Sequence, residues 1–337
     1  MAVTIKDVAK KAGVSVATVS LSLKPETPVA EKTRRKVVQI IKETGYRPSY
    51  KAQALKGSLT NTICFLFNKP FFDVVGGSYM DIFNSLNMAA AAHGYKIFLN
   101  STGADMPLKE VVPQAYSFGV DGVIVVSDLI EDDREFLKNT NIPIMLINRD
   151  FQAASVSSFV FEDCNGAVQA VEYLLKIGHR TIAFVGKNKK ESSNRRLQGY
   201  IAALKNAGIP IDSNLIFECD YETDSGQKAG EYISNIENRP TAVLCATDRL
   251  ALGLMEFFRK HGINVPGDIS VVGMDNSYVS NVSCPRLTTI GLSNDIMIMA
   301  EEMLKLMIKM TRFKEKGQKK VIPVELVVRD STVPCQK

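Results

Sequence analysis

The sequence predicts an α/β protein: a small all-α N-terminal head, followed by a two-lobed body of doubly wound parallel sheets. Three observations carry that expectation. From Thr62 onward, short β-rich runs alternate with helical patterns, as βα units require. Before Thr62 the chain reads helix, glycine turn, capped helix. Charge also divides at the same place. Residues 1–56 hold twelve Lys or Arg against four Asp or Glu, a balance of +8, whereas the whole chain is +5, so the remainder is −3.

In the head, Val8, Ala9 and Ala12 fall on one face of a helix opening near Ile5, and Gly13 supplies the turn. Ser15 stands where an N-cap oxygen serves a second helix, Val16–Leu23, with Val19 and Leu23 assigned to the small interior. An ordinary helical hairpin would fit this pattern alone. The basic balance decides for a helix-turn-helix, whose second helix enters the DNA major groove. A third helix runs from about Glu31 to Thr44 with Val37, Val38 and Ile41 as its buried stripe and Gly45 as its cap; its Arg34, Arg35 and Lys36 are either a solvated face or, the reading favoured, an approach to phosphate. Pro48 marks a break, and Ser49 can cap a short helix over 50–56.

In the body the β-rich runs are TICFLF, YKIFLNS, VDGVIVVS, IPIMLINR, TIAFVG, TAVLCA and ISVVGMD. Helical patterns lie near 77–93, 111–118, 132–140, 167–177, 195–207, 225–235 and 250–261, with a lobe boundary near Phe161–Asn165. No signal peptide follows Met1 and no apolar run could span a membrane, so a cytoplasmic protein is expected. The six cysteines lack paired spacing and read as small buried hydrophobes and one tail residue.

TIKDVAKKAGVSVATVS, ETGYRPS, AQALKG, RPTAVLCATDRLALG, VPGDISVVGMD, PRLTTI and VELVVRDST together resemble the lac repressor/galactose repressor (LacI/GalR) family of bacterial transcription regulators. The likeness runs through essentially the whole chain. It implies a body similar to periplasmic sugar-binding proteins, and crossovers between the lobes. The expected domains are a head at 1–48, a hinge helix and linker at 49–61, one lobe from 62–162 plus about 291–322, and another from 163–290 plus about 323–337.

The resemblance places Val16, Ala17 and Leu21 toward base edges, and Thr18 and Ser20 on phosphate. Thr4, Ser15, Lys24 and Lys56 join them on the DNA side, and Leu55 is the apolar wedge of a hinge helix that folds when two chains sit on DNA. Val16, Ala17 and Leu21 offer no side-chain hydrogen bonds, so only thymine methyls and shape remain for them to read. Lys24 replaces the Asn common in the family.

A doubly wound domain binds ligands beyond the carboxyl ends of its strands. Those ends supply Asn68, Asn100, Ser127, Asn148, Arg149, Asp150, Asp220, Tyr221, Thr247, Asp248 and Asp275, a polar set with one clear aromatic, suited to a small hydrophilic molecule. The resemblance narrows the effector site to Arg196 in SNRRLQGY, Asp275, Tyr221 as a platform, Thr247 where Asn is common and Asn148 where Asp is frequent, with Phe72 and Asp73 as a lid.

No cofactor or metal is expected. His93, His179 and His261 each neighbour a Gly at a helix end, and HExxH, GxSxG, a complete P-loop and GxGxxG are all missing. The expected function is a non-enzymatic, sequence-specific regulator, most simply a repressor, controlled by a sugar or related metabolite. Its partners are operator DNA, the effector, a second copy of the chain and a co-regulator, with the protein on the nucleoid and no membrane. A periplasmic-type solute-binding protein is the alternative, which the missing export signal and basic head oppose.

Overall fold

In a computed structural model of the chain, the described residues are 3–23, 28–46, 59–67, 78–102, 106–126, 129–187, 190–292 and 296–336. Residues 1–60 and 61–337 form two compact units.

In the first unit, α1 (Ile5–Ala12) opens on Thr4, whose amide and hydroxyl both donate to Asp7 Oδ2, at 2.9 and 2.7 Å. Gly13, at φ 69°, ends the helix. α2 (Val16–Ser22) opens on Ser15, whose Oγ accepts from the Thr18 amide at 3.0 Å. α3 (Glu31–Thr44) ends at Gly45, φ 63°. Val8, Ala9, Ala12, Val19, Val37 and Ile40 make the core of this unit.

Two details differ from the sequence reading. Leu23 is 39 % exposed rather than interior, because α2 ends one residue before it. Val38 is exposed and Ile40 takes its place: each shares a face of about 100° with Val37 and Ile41, and the head core packs on the Ile40 side. Arg34 donates to the Ser22 carbonyl at 3.0 Å and Arg35 to Glu31 at 3.0 Å, so both bond within the head. The proposed hinge helix at 50–56 lies outside the described residues.

The second unit contains two six-stranded sheets. Its elements in chain order are β1 (Thr62–Phe67), α4 (Ser78–Ala92), β2 (Lys96–Ser101), α5 (Leu108–Ser117), β3 (Gly122–Val126), α6 (Glu131–Asn139), β4 (Ile144–Ile147), β5 (Val156–Phe161), α7 (Asp163–Lys176), β6 (Ile182–Lys187), α8 (Glu191–Asn206), β7 (Ile216–Glu218), α9 (Thr223–Ser234), β8 (Ala242–Cys245), α10 (Asp248–Lys260), β9 (Ser270–Met274), α11 (Tyr278–Val282), β10 (Thr288–Leu292), α12 (Ile296–Phe313), β11 (Lys319–Ile322) and β12 (Val324–Val327). The first sheet has order β11-β5-β4-β3-β1-β2 and the second β12-β10-β9-β8-β6-β7. All described pairs are parallel except β10–β12. The chain passes between the sheets three times: after Phe161, after Leu292 and at Pro323.

Strands β5, β7, β10, β11 and β12 were not among the predicted runs. β5 carries Ser157 and Ser158, yet is buried throughout, because tertiary partners satisfy both hydroxyls. Ser158 Oγ donates to the Phe151 carbonyl, and Ser157 Oγ to Met310 Sδ while accepting from the Gln318 amide. α7 and α8 begin four residues earlier than their apolar pattern, at acidic Asp163 and Glu191. Among the described residues no helix is long and apolar enough to cross a membrane. Cys64 and Cys245 are buried, whereas Cys284 is exposed, contrary to its expected burial.

Candidate functional site

Where the strands of both sheets end, the second unit brings together a cluster of charged and polar side chains. β4 delivers Asn148, β5 leads into Asp163 at the start of α7, β7 precedes Tyr221, β8 precedes Thr247 and Asp248, and β9 precedes Asp275. Asn148 sits at φ 55° and Asp275 at φ 126°, so both strands end in a left-handed turn that aims the side chain off the sheet edge.

Arg196, on the first turns of α8, lies at the centre and is 5 % exposed. Its Nε and Nη2 reach Asp163 Oδ1 at 2.9 Å, its Nη2 reaches Asp275 Oδ1 at 2.9 Å, and its Nη1 donates to the Ala246 carbonyl. Burial disfavours the Asp163 carboxylate, but Arg196 and Arg195 outweigh it and hold its pKa below the usual range. Arg196 rises far above the ordinary guanidinium value: burial opposes its charge, and Asp163 and Asp275 more than offset that. For Asp275 the balance goes the other way. Burial, with Asp248 and Asp163 as like charges, pushes it up to about 7 against the pull of Arg196.

Asp248 backs the site. Its Oδ2 accepts from the Ser277 amide and hydroxyl at 2.8 Å each, and its Oδ1 from Thr289 Oγ1 at 2.5 Å. Thr247 is buried and its hydroxyl accepts from the Leu250 amide at 3.2 Å, capping α10. Tyr221 is half-buried under Lys190, whose Nζ lies 4.9 Å from the ring centre. Burial pushes the Tyr221 phenol up to about 12, opposed by the Arg196 charge and the Ser192 and Ser193 hydroxyls.

Asn148, Arg196, Tyr221, Thr247 and Asp275 thus lie beyond the carboxyl ends of strands of both sheets or on α8, while Phe72 and Asp73 lie outside the described residues. Of the other strand-end residues, Asp150 pairs with Lys319 at 2.7 Å, Asp220 is exposed, and Asn68 and Ser127 are outside the described residues. Sequence reasoning missed Asp163, Arg195 and Glu191. Arg195 Nη2 donates to Asn148 Oδ1 at 2.6 Å and to Asp163 Oδ2 at 2.8 Å, and its Nη1 to Glu191 Oε1 at 2.7 Å. An acidic residue opening a helix straight after a strand was the available signal for Asp163; nothing local singles out Arg195 from its neighbour.

The histidines hold structure. His179 is buried between Thr241 Oγ1 at 2.9 Å and the Val333 carbonyl at 3.1 Å, His261 closes α10 on the Phe257 carbonyl, and His93 bonds Glu301 at 2.7 Å. Among the described residues no three His, Cys, Asp or Glu side chains gather as a metal would need.

On the head, Thr4, Ser15 and Ala17 are exposed, as is Leu21 at 40 %; Thr18 and Ser20 are half-buried. Val16 is also half-buried and packs on the head core. Lys24, Leu55 and Lys56 lie outside the described residues.

Comparisons with known proteins agree with this layout. Residues 4–49 match the model of bacterial regulatory proteins of the lacI family, and residues 171–332 match a periplasmic binding protein-like domain. The transcriptional regulator DegA of Bacillus subtilis is 33 % identical, over 99 % of both chains. The transcriptional repressor PurR of Vibrio atlanticus is 34 % identical, over 85 % of this chain and 86 % of its own. A crystal structure of the Lac repressor dimer bound to operator and the anti-inducer ONPF superposes with a TM-score of 0.83 at 28 % identity, over 99 % of this chain and all of that one. With an α-helical head, two strand-end lobes and relatives matched from end to end, the chain belongs to the LacI family of DNA-binding transcription regulators.

Proposed function

We propose that this protein is a repressor which, as a homodimer, binds a near-palindromic operator through residues 1–48 and is controlled by a sugar or related metabolite held between its lobes. The lobes are 62–162 plus about 291–322, and 163–290 plus about 323–337, with 49–61 as hinge and linker. The observation that carries the effector half is the Asp163–Arg196–Asp275 cluster: buried charge at the carboxyl ends of strands from both sheets. Asp275 retains its Oδ2 for a ligand hydroxyl, and Tyr221 offers an aromatic face beside it. Thr247 keeps its hydroxyl proton to donate. The buried carboxylates and guanidinia are committed to one another, an arrangement that suits binding rather than catalysis.

The DNA half rests on the head surface. Ser15 and Thr18 share one hydroxyl–hydroxyl contact at 2.9 Å, which leaves a second hydroxyl proton to give to phosphate. Ala17 and Leu21 are exposed, where thymine methyls would meet them, and half-buried Val16 is read with them as a base-edge residue; Thr4, Ser20, Lys24 and Lys56 are assigned to the DNA side. Leu55 is the wedge residue, and Phe72 and Asp73 form the lid. This function places the protein on the nucleoid in the cytoplasm; a co-regulator is a further partner in this reading. The relatives are regulators and the Lac repressor structure is a dimer on operator, which supports the reading over a solute-binding protein.

The test is binding to the DNA upstream of its own gene against scrambled DNA at one stated salt concentration, with and without a panel of sugars and purines. Tight binding to one palindrome, altered by one panel member, is the expected result. Binding that ignores both sequence and ligand, and weakens only with salt, would remove the proposal.

A further inference from the structure

Asn148 stands where sugar-binding members of the family often carry Asp, and its surroundings give a reason. Its Nδ2 donates to Asp163 Oδ2 at 3.0 Å, while its Oδ1 accepts from the Phe161 amide at 3.1 Å and from Arg195 Nη2 at 2.6 Å. The Phe161 amide fixes which way the side chain is turned. With both oxygen lone pairs and one N–H used and 1 % exposure, the amide has little left to offer a ligand. An Asp here would set two carboxylates against each other. Asn148 therefore works on the protein, not on the effector.

What it holds is α8. Glu191 and Arg195 lie one helical turn apart on that helix and grip the loop after β4 from the side of the second sheet. Arg195 reaches Asn148 through both its side-chain and backbone oxygens, at 2.6 and 3.3 Å. Glu191 Oε1 accepts from Arg195 Nη1 at 2.7 Å and from the Asp150 amide at 3.4 Å. The Arg195 side chain is only 19 % exposed, so these charge-assisted bonds are largely shielded from water. Loop 148–150 belongs to the first sheet and α8 packs in the second, so the grip spans the two.

We infer that Glu191 and Arg195 are positioning residues: a clasp on residues 148–150 that sets the angle between the lobes. This rests on the reading above, in which lobe angle controls operator binding. A ligand entering beside Arg196 and Asp275 then works against, or adds to, an angle already set by the clasp.

The clasp is separable from the core of the site. Asp163 keeps Arg196 as its counter-charge when Arg195 is removed, so Arg195→Ala should fold. The experiment uses full-length protein and the palindrome that the wild type selects from random DNA, at one salt concentration and without effector. Arg195→Ala should change the operator affinity by about five-fold or more. Its affinity for scrambled DNA should stay within about two-fold, since phosphate contacts are untouched. Glu191→Ala should move operator affinity in the same direction, and Arg195→Lys, which keeps one charged donor, should restore part of it. Amide hydrogen exchange at Asp150 and Phe151 should quicken in both alanine variants. Unchanged operator affinity in Arg195→Ala would overturn the clasp, even if exchange quickened, because a purely structural bond would behave that way. A wild type that selects no palindrome would instead overturn the regulator reading itself.

Discussion

Arg196 Nη2 donates to Asp275 Oδ1 at 2.9 Å while the Asp275 backbone stands at φ 126°, so the partner of a buried guanidinium is held by a strand end in a conformation that L-residues rarely adopt. Asp163, at the mouth of the crossover from β5, holds the same guanidinium from the other side. One side chain thus joins the first passage between the sheets to the end of a central strand in the second.

That makes Arg196 a position where substitution should be costly. Arg196→Met removes the positive charge and leaves Asp163 Oδ1, Asp275 Oδ1 and the Ala246 carbonyl without the donor they share. Breaking a buried pair by removing one partner costs about 3–5 kcal/mol, because the remaining charge stays desolvated. Arg195 still faces Asp163, so the loss should fall toward the lower end. Urea titration of the purified protein should show a lower midpoint with an unchanged slope, and Arg196→Lys should lie between variant and wild type.

Asp275 also sets a pH dependence. In the unfolded chain its carboxyl titrates near pH ~4. In the fold it titrates at about 7. Between these values the folded state holds a proton that the unfolded state has released. This contribution to stability is therefore full below the lower value, declines as pH rises, and is gone above the higher one. Asp275→Asn cannot titrate and should lose that decline. His179 acts with the opposite sign: burial lowers its pKa, so its contribution is lost as pH falls below the ordinary histidine value. The informative quantity is thus the difference between Asp275→Asn and wild type at each pH. Urea midpoints that keep a constant separation across this range would refute the assignment.

The glycines at the α9–α10 contact give a test that touches neither ligand nor DNA. A Cβ on Gly253 would strike the Thr223 carbonyl oxygen, and one on Gly226 the Leu250 carbonyl oxygen, so the two helix backbones approach through these positions. Alanine is the better helix former by at most about 1 kcal/mol. Overpacking against backbone costs roughly 1–3 kcal/mol, so the clash wins. Gly253→Ala should lower the melting temperature, with the protein still binding operator when cold.

Local chemistry was legible in the sequence, and long-range satisfaction was not. Gly13, Ser15 and Gly45 announce their turns and caps because the partners lie within a few residues. Alternation also placed β1, β4, β6, β8 and β9, whose apolar runs are continuous. β5 escaped because its two serines look unlike a buried strand until Met310 and Gln318 arrive from the far end of the chain. Asn148 was visible as a departure from the family, but its reason lies in Phe161, Asp163 and Arg195, which no spacing rule connects. Val38 and Ile40 differ by two positions, and only packing decides between them.

Leu21 yields the sharpest test of the head. It is 40 % exposed on α2, within a unit whose small core is already filled by Val8, Val19, Val37 and Ile40. A large apolar side chain left outside that core contributes little to folding, so Leu21→Ala should leave head stability within about 0.5 kcal/mol. On operator DNA its role is contact with a thymine methyl or with groove shape, and losing a base contact costs about 1–3 kcal/mol. Specific affinity should therefore fall roughly ten-fold. Scrambled DNA, bound through phosphates, should be held as before with the same salt slope. Ser15→Ala supplies the contrast: it removes the cap on the Thr18 amide, so it should lower protection of the α2 amides by about 1 kcal/mol and weaken both DNAs together. Parallel titrations of the two variants on both DNAs separate the roles, and a Leu21→Ala loss that is equal on operator and scrambled DNA would take Leu21 out of base recognition.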